Sequence, residues 1–233
     1  MREHLKAIHH HAADFWLARG SVVVIVALQL LMINDLHAGP QLLAPVIELA
    51  LLIPLSTVTA WVQAMTRKAE TDDHWFRVAR HRRMIRKLAV VLTAVITLLN
   101  TAALLNLVRV LLKGHLGESG ETLLLDALNI WATNVIIFAL WFWSIDRGGP
   151  ATRGLLPSQK NDFLFPQMML DSYTGWSPGF VDYLYLSFTN ATAFSPTDTM
   201  PLTSRTKLLM MAESAISLLT IALVAARAVN ILS

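Results

Sequence analysis

Long apolar blocks broken by short polar or Gly/Pro-containing stretches set the pattern of this chain. Five of them approach the roughly 20 apolar residues that a bilayer-crossing helix needs. They predict spans at about Phe15–Leu36, Gln41–Gln63, Lys87–Leu112, Thr122–Ile145 and Thr206–Leu232. The first block ends at the turn signal HAGP. The second contains Pro45 and Pro54, read as kinks, which helices in a bilayer tolerate. No small-residue cleavage signature follows the first block, so Phe15 onward reads as a retained span.

Between the fourth and fifth blocks lies a shorter element. Ser177-Pro178 reads as a helix start, with serine as N-cap, proline at the first helical position and Asp182 in the first turn. A helix over 178–193 is short for a full crossing and runs into the polar stretch SFTNATAFSPTDTMPLT. A half-length helix, a polar return over 194–203 and then a full span over 206–232 is the pattern of a re-entrant loop. Irregular backbone at membrane depth persists only where protein buries it or water reaches it. The alternative is a sixth span over Pro178–Phe194. The fold class expected is thus all-α and polytopic.

Composition agrees: of 233 residues 55% are hydrophobic and 15% charged, with mean hydropathy +0.51. No cysteine is present, which excludes disulfides and thiolate metal sites. Charge divides the chain further. A basic linker over 64–87 carries Arg67, Lys68, Arg77, Arg80, Arg82, Arg83, Arg86 and Lys87. Such an excess faces the cytoplasm and touches anionic lipid headgroups rather than nucleic acid. The N-terminal segment 1–14 then faces inward too. The organisation expected is a three-span part over 15–112 and a channel-like part over 113–233.

The run SFTNATAFSPTDTMPLTSRTKLLMMAESAISLLTIALVAARAVNIL resembles the pore half of potassium channels, in which a pore helix and a T-V-G-Y-G-D filter precede the inner helix. It also resembles a family of uncharacterised bacterial multi-pass membrane proteins. Aligned without a gap, Thr192 takes the threonine before the filter. Ala193, Phe194, Ser195, Pro196 and Thr197 take the filter positions, and Asp198 takes the aspartate. Pro201 and Thr203 match the P-x-T turn that follows. The resemblance implies a homo-oligomer, four-fold by analogy, in a bacterial inner membrane, with monovalent ions as candidate passengers.

The filter chemistry itself is absent. Potassium filters use successive carbonyls, and their glycines reach backbone angles that other residues avoid. Ser195 and Thr197 fill the glycine positions, and Pro196 fixes its own φ. Two readings stay open. In one, Thr189, Thr192, Ser195, Thr197 and Asp198 line a wider hydrated constriction with Phe194 as an apolar gate. In the other, Ser195 and Asp198 shape the turn and Thr203 caps the last helix.

Polar residues inside the spans complete the picture. Asp126, Asn129 and Thr133 recur at helical spacing, as do Glu213, Ser217 and Thr220. Asp126, Asn129, Glu213, Ser217 and Thr220 are the cavity-lining candidates, with Arg227 or a loop threonine as a partner for Glu213. Asn100, Asn106 and Asn134 read as interhelical hydrogen bonders. His9, His10 and His11 are adjacent rather than at i, i+4, so no metal or other cofactor is expected. No catalytic motif is found, and an enzyme is not expected. The function expected is a passive pathway for ions or small solutes. A non-conducting scaffold or regulatory module is the alternative, and a proton-coupled transporter using Glu48, Asp126 and Glu213 the third.

Overall fold

The computed structural model describes residues 2–30, 46–47, 49–50, 52–53, 56–57, 72–113, 120–149, 160–192 and 198–232. Most of the second expected span, with Pro45, Glu48 and Pro54, lies outside them, as do residues 193–197. The same is true of the side chains of His9, His10, His11 and Arg227.

The described residues form five α-helices. They are α1 (Arg2–Leu30), α2 (Asp72–Lys113), α3 (Gly120–Ile145), α4 (Phe180–Thr192) and α5 (Ser204–Leu232). Within them Met84–Leu111, Thr122–Gly148 and Ser204–Ala226 are each long and apolar enough to cross a membrane. The described chain is mainly helical, and three of its helices have the length and apolar character of membrane spans. The basic stretch expected as a linker over 64–87 is helical from Asp72 onward, where α2 begins. At 1.5 Å per residue this helix is about 60 Å long, twice the hydrocarbon core, so its basic first turns extend past the apolar window.

Helix α3 is the centre of the bundle. Its sequence is apolar nearly all round, as a helix with neighbours on every side must be. Against α2, Trp141 Nε1 donates to Thr97 Oγ1 at 2.9 Å and Asn100 Nδ2 donates to the Ile130 carbonyl at 3.3 Å. Against α1, Phe15 meets Trp143 edge-on at 5.3 Å, and Asn129 donates to the Leu28 carbonyl. Against α5, Asn134 Nδ2 donates to Ser217 Oγ at 3.0 Å. These pairs make α1 and α2 antiparallel to α3; α5 is antiparallel as well, since Arg205 at its start binds Asp162, which Asp146 holds at the end of α3. Trp143 is buried in the core instead of sitting in an interfacial belt, while Trp16 is exposed as a belt residue would be.

A two-stranded antiparallel ribbon covers one end of the bundle. Strand β1 (Phe163–Leu164) pairs with β2 (Met200–Pro201), Phe163 opposite Pro201 and Leu164 opposite Met200. Phe163 and Phe165 pack edge-on against Phe142 and Tyr183, with centroids 5.2 Å apart for Phe142–Phe163 and 5.3 Å for Phe165–Tyr183. Those rings seal the ribbon onto α3 and α4.

Candidate functional site

Helix α4 differs from the other helices in length and in what holds it. At 13 residues it is about 20 Å long, short of a roughly 30 Å hydrocarbon core. Its start is not capped as expected. The N-cap is Gly179, and Ser177 instead accepts from Arg147 Nη2 at 3.4 Å. Two carboxylates satisfy the free N–H groups at this terminus. Asp182 Oδ2 accepts from Gly179 N at 2.7 Å, and Asp14 Oδ1, reaching across from α1, accepts from Phe180 N at 3.2 Å. Burial holds the Asp182 carboxyl above its ordinary range, and the nearby Asp14 charge adds to this, against the opposing effect of the Gly179 N–H.

Below that start, α4 presents one polar edge to α3 and α5. Ser187 Oγ lies 2.6 Å from the Val135 carbonyl and also hydrogen-bonds Glu213 Oε1. Asn190 Nδ2 donates to Glu213 Oε2 at 2.6 Å and to the Met210 carbonyl at 3.0 Å. Ser187, Glu213, Ser217 and Thr220 are all fully buried. The hydroxyl of Ser187 has one proton for two acceptors. Either a Glu213 carboxylate takes it, or the acid form of Glu213 donates to Ser187 and the serine proton goes to Val135.

Glu213, Ser217 and Thr220 share a face, as their spacing implied, and within this chain that face meets protein. Arg227 lies about 21 Å further along the same helix, so the partners of Glu213 are Ser187 and Asn190 instead. Asn129 and Thr133 line a small polar cavity with Gln29 and Asn100, whereas Asp126 is buried lower on α3. Asp126 is about 13 Å along the helix from Val135, the level of Ser187 and Glu213. Asn100 and Asn134 make the interhelical bonds expected of them.

The pore-loop candidates divide. Thr189 Oγ1 donates to the Tyr185 and Leu186 carbonyls at 2.9 and 3.0 Å, and Thr192 Oγ1 to the Thr189 carbonyl at 3.0 Å. Both hydroxyls are thus engaged by their own helix. Ala193, Phe194, Ser195, Pro196 and Thr197 lie outside the described residues. Asp198 is exposed beside β2, where it accepts from Thr199 Oγ1 at 3.5 Å. Thr203 is the N-cap of α5: its carbonyl accepts the first helical bond, from Lys207 N at 3.1 Å, and Thr206 Oγ1 accepts from its N–H at 3.3 Å.

A second cluster, not anticipated from the sequence, fastens the segments on either side of α4. Asp146 and Asp162 are both buried. Asp146 Oδ1 accepts from the Asp162 and Phe163 N–H groups at 3.0 and 3.4 Å, and Oδ2 from Tyr183 Oη at 2.5 Å. Asp162 takes Arg205 in a two-pronged ion pair, with Nη2 2.6 Å from Oδ2 and Nε 2.9 Å from Oδ1. It also accepts from Arg147 N at 3.1 Å and Thr203 Oγ1 at 3.0 Å. The chain bends into this cluster through Arg147, Gly148 and Gly149, all at positive φ. The GG pair signalled the turn, but nothing local marks the aspartates as buried.

No protein-family model, no curated protein and no solved structure matches this chain.

Proposed function

We propose that α4 and the segment leading to α5 form a re-entrant, pore-loop-type element, and that copies of this chain assemble around it to give a passive pathway for ions or small solutes. The path of the chain carries the reading. Helix α4 starts beside Asp14 and Asp146, reaches the level of Val135 and Glu213, and by Met200 the chain is back against Leu164. A full crossing would bring it to the opposite end, where Leu28 meets Asn129.

The remaining features fit. A polar return segment at membrane depth requires protein or water beside it. Outward on α4 and α5 lie Tyr185, Phe188, Leu208, Met211 and Leu218, an apolar surface for lipid or a second copy. Arg86 lies close to Gly149, so the basic start of α2 is at the end where α4 enters. The excess of Arg and Lys there supports a cytoplasmic location for that end in a bacterial inner membrane, with the N-terminus inside and Ser233 outside. The element is then inverted relative to a potassium channel, and Ser195-Pro196-Thr197 does not select potassium by backbone carbonyls.

A second reading is a non-conducting membrane module. It is favoured by the Thr189, Thr192 and Glu213 side chains, whose hydrogen bonds are all made within the chain. Purified protein in liposomes separates the two. Dissipation of a K⁺, Na⁺, H⁺ or anion gradient, altered by Asp198→Ala, is expected. Gradients that hold for every ion, with correctly inserted protein, exclude the pathway. A reporter fused after Ser233 tests the crossing number, since an even number of crossings would leave it in the cytoplasm.

A further inference from the structure

A cleft between α1, α2 and α3 has a composition that the proposed pathway does not use. Its walls are apolar, with Val22, Leu92, Leu140 and Trp143 from these helices and Leu52 from outside them, and it holds about 60 Å³. Two arginines, Arg19 and Arg86, line it as well. Arg19 is 8% exposed, and its Nη2 is buried with no hydrogen-bond partner among the described residues. Its guanidinium lies 5.0 Å from the centroid of the Trp16 ring, which supports one face of the cation and leaves its edge groups unused. A buried cation without a hydrogen-bonded anion is costly, and the cost is recovered when an anion enters.

The cleft lies at the bundle end that carries Asp14, Arg86 and Gly149, roughly one helical turn in from Asp14. With the bundle spanning the membrane as proposed above, this is the depth of lipid headgroups and of the first methylenes below them. An occupant must therefore offer an anion that can take bidentate N–H donors, attached to an apolar chain. Phosphodiesters have that oxygen geometry, and guanidinium is the side chain best shaped for it.

We infer that this cleft is a binding site for one anionic phospholipid, whose phosphodiester is held by Arg19 and Arg86 and whose acyl chain begins along Val22, Leu92 and Leu140. General attraction of basic residues to an acidic leaflet would not require a buried guanidinium or an apolar slot. A single site with both does.

The test is thermal unfolding of the full-length protein in detergent, titrated with phosphatidylglycerol or phosphatidylcholine. Phosphatidylglycerol is expected to raise the melting temperature saturably and phosphatidylcholine to raise it far less. Arg19→Gln is expected to increase the half-saturating phosphatidylglycerol concentration at least tenfold, while leaving the melting temperature in phosphatidylcholine unchanged or higher. Ala89→Phe, which fills the slot and retains both arginines, is expected to weaken the response similarly. Arg86→Gln, at a less buried position, provides the variant least able to disturb folding. Equal stabilisation by both lipids overturns the site. So does an Arg19→Gln protein that melts lower in both lipids by the same amount, since Arg19 would then be satisfied within the chain. Stabilisation by inorganic phosphate alone at matched concentration overturns the acyl-chain part and leaves a simple anion site.

Discussion

Asn190 on α4 donates 2.6 Å to Glu213 on α5, and its backbone carbonyl accepts from Ser214 of the same partner helix at 3.4 Å. With Ser187 on the other carboxyl oxygen, Glu213 is the point at which the short helix is fastened to the long one. No apolar contact between the two fixes their relative height so specifically, because hydrogen bonds have a direction and dispersion does not.

This arrangement predicts different outcomes for two substitutions at one position. Glu213→Gln can still donate to Ser187 and accept from Asn190, so its stability in detergent should stay within about 1 kcal/mol of the parent. Glu213→Leu leaves Ser187 and Asn190 facing an apolar group and should cost about 2–4 kcal/mol. Thermal unfolding of both variants checks this. Equal costs would mean that shape, and not hydrogen bonding, holds α4.

The ion pair at the ribbon should be asymmetric. Arg205→Ala strands the buried Asp162 carboxylate near Asp146 and should cost about 3 kcal/mol, the low end for a broken buried pair because water reaches Arg205. Arg205→Lys should recover only part of that, since an ammonium cannot reproduce the two-pronged contact. A double-mutant cycle with Asp162→Asn is the measurement. A coupling energy near zero would show that the pair contributes nothing.

Gly149 has φ +88°, and an added Cβ would lie 2.6 Å from the Ser144 carbonyl oxygen. Gly149→Ala should therefore destabilise the protein by about 1–3 kcal/mol through strain and displacement of the turn that carries Asp146. Proteolysis between α3 and α4 should become faster. A variant as stable and as resistant as the parent would contradict the close approach.

The helix start of α4 should respond to pH. Asp182 is raised above its ordinary 3.8 by burial, so its protonated form contributes stability that is complete below that value. As pH climbs through the raised folded value, the group ionises and that contribution is lost. The melting temperature of the parent relative to Asp182→Asn should fall as pH rises from about 4 toward neutrality. A difference that is constant with pH would remove Asp182 as its origin.

Much was legible from periodicity alone. The fourth and fifth apolar blocks correspond to α3 and α5 within a few residues, because a run of apolar side chains long enough to cross a bilayer has few other fates. The shortness of α4 was also readable, from the polar residues that follow Phe188. Its cap was not, since Asp14 is distant in sequence and close only after α1 docks on α3. The basic stretch was read as a linker because charge interrupts an apolar pattern, yet charge does not interrupt a helix.

For this protein the sequence by itself determined that the chain is apolar and helical, where three of its long apolar helices fall, and that the element before the last of them is too short to be an ordinary span. These follow from local spacing and the 1.5 Å rise of a helix. Only the tertiary structure decided which polar residues meet. Glu213 found Ser187 and Asn190 rather than Arg227, and Asp146 and Asp162 became buried anchors rather than loop charges. The reason is physical: a buried polar group must be satisfied by whichever donor packing brings within about 3 Å, and no spacing along one strand of sequence specifies that neighbour.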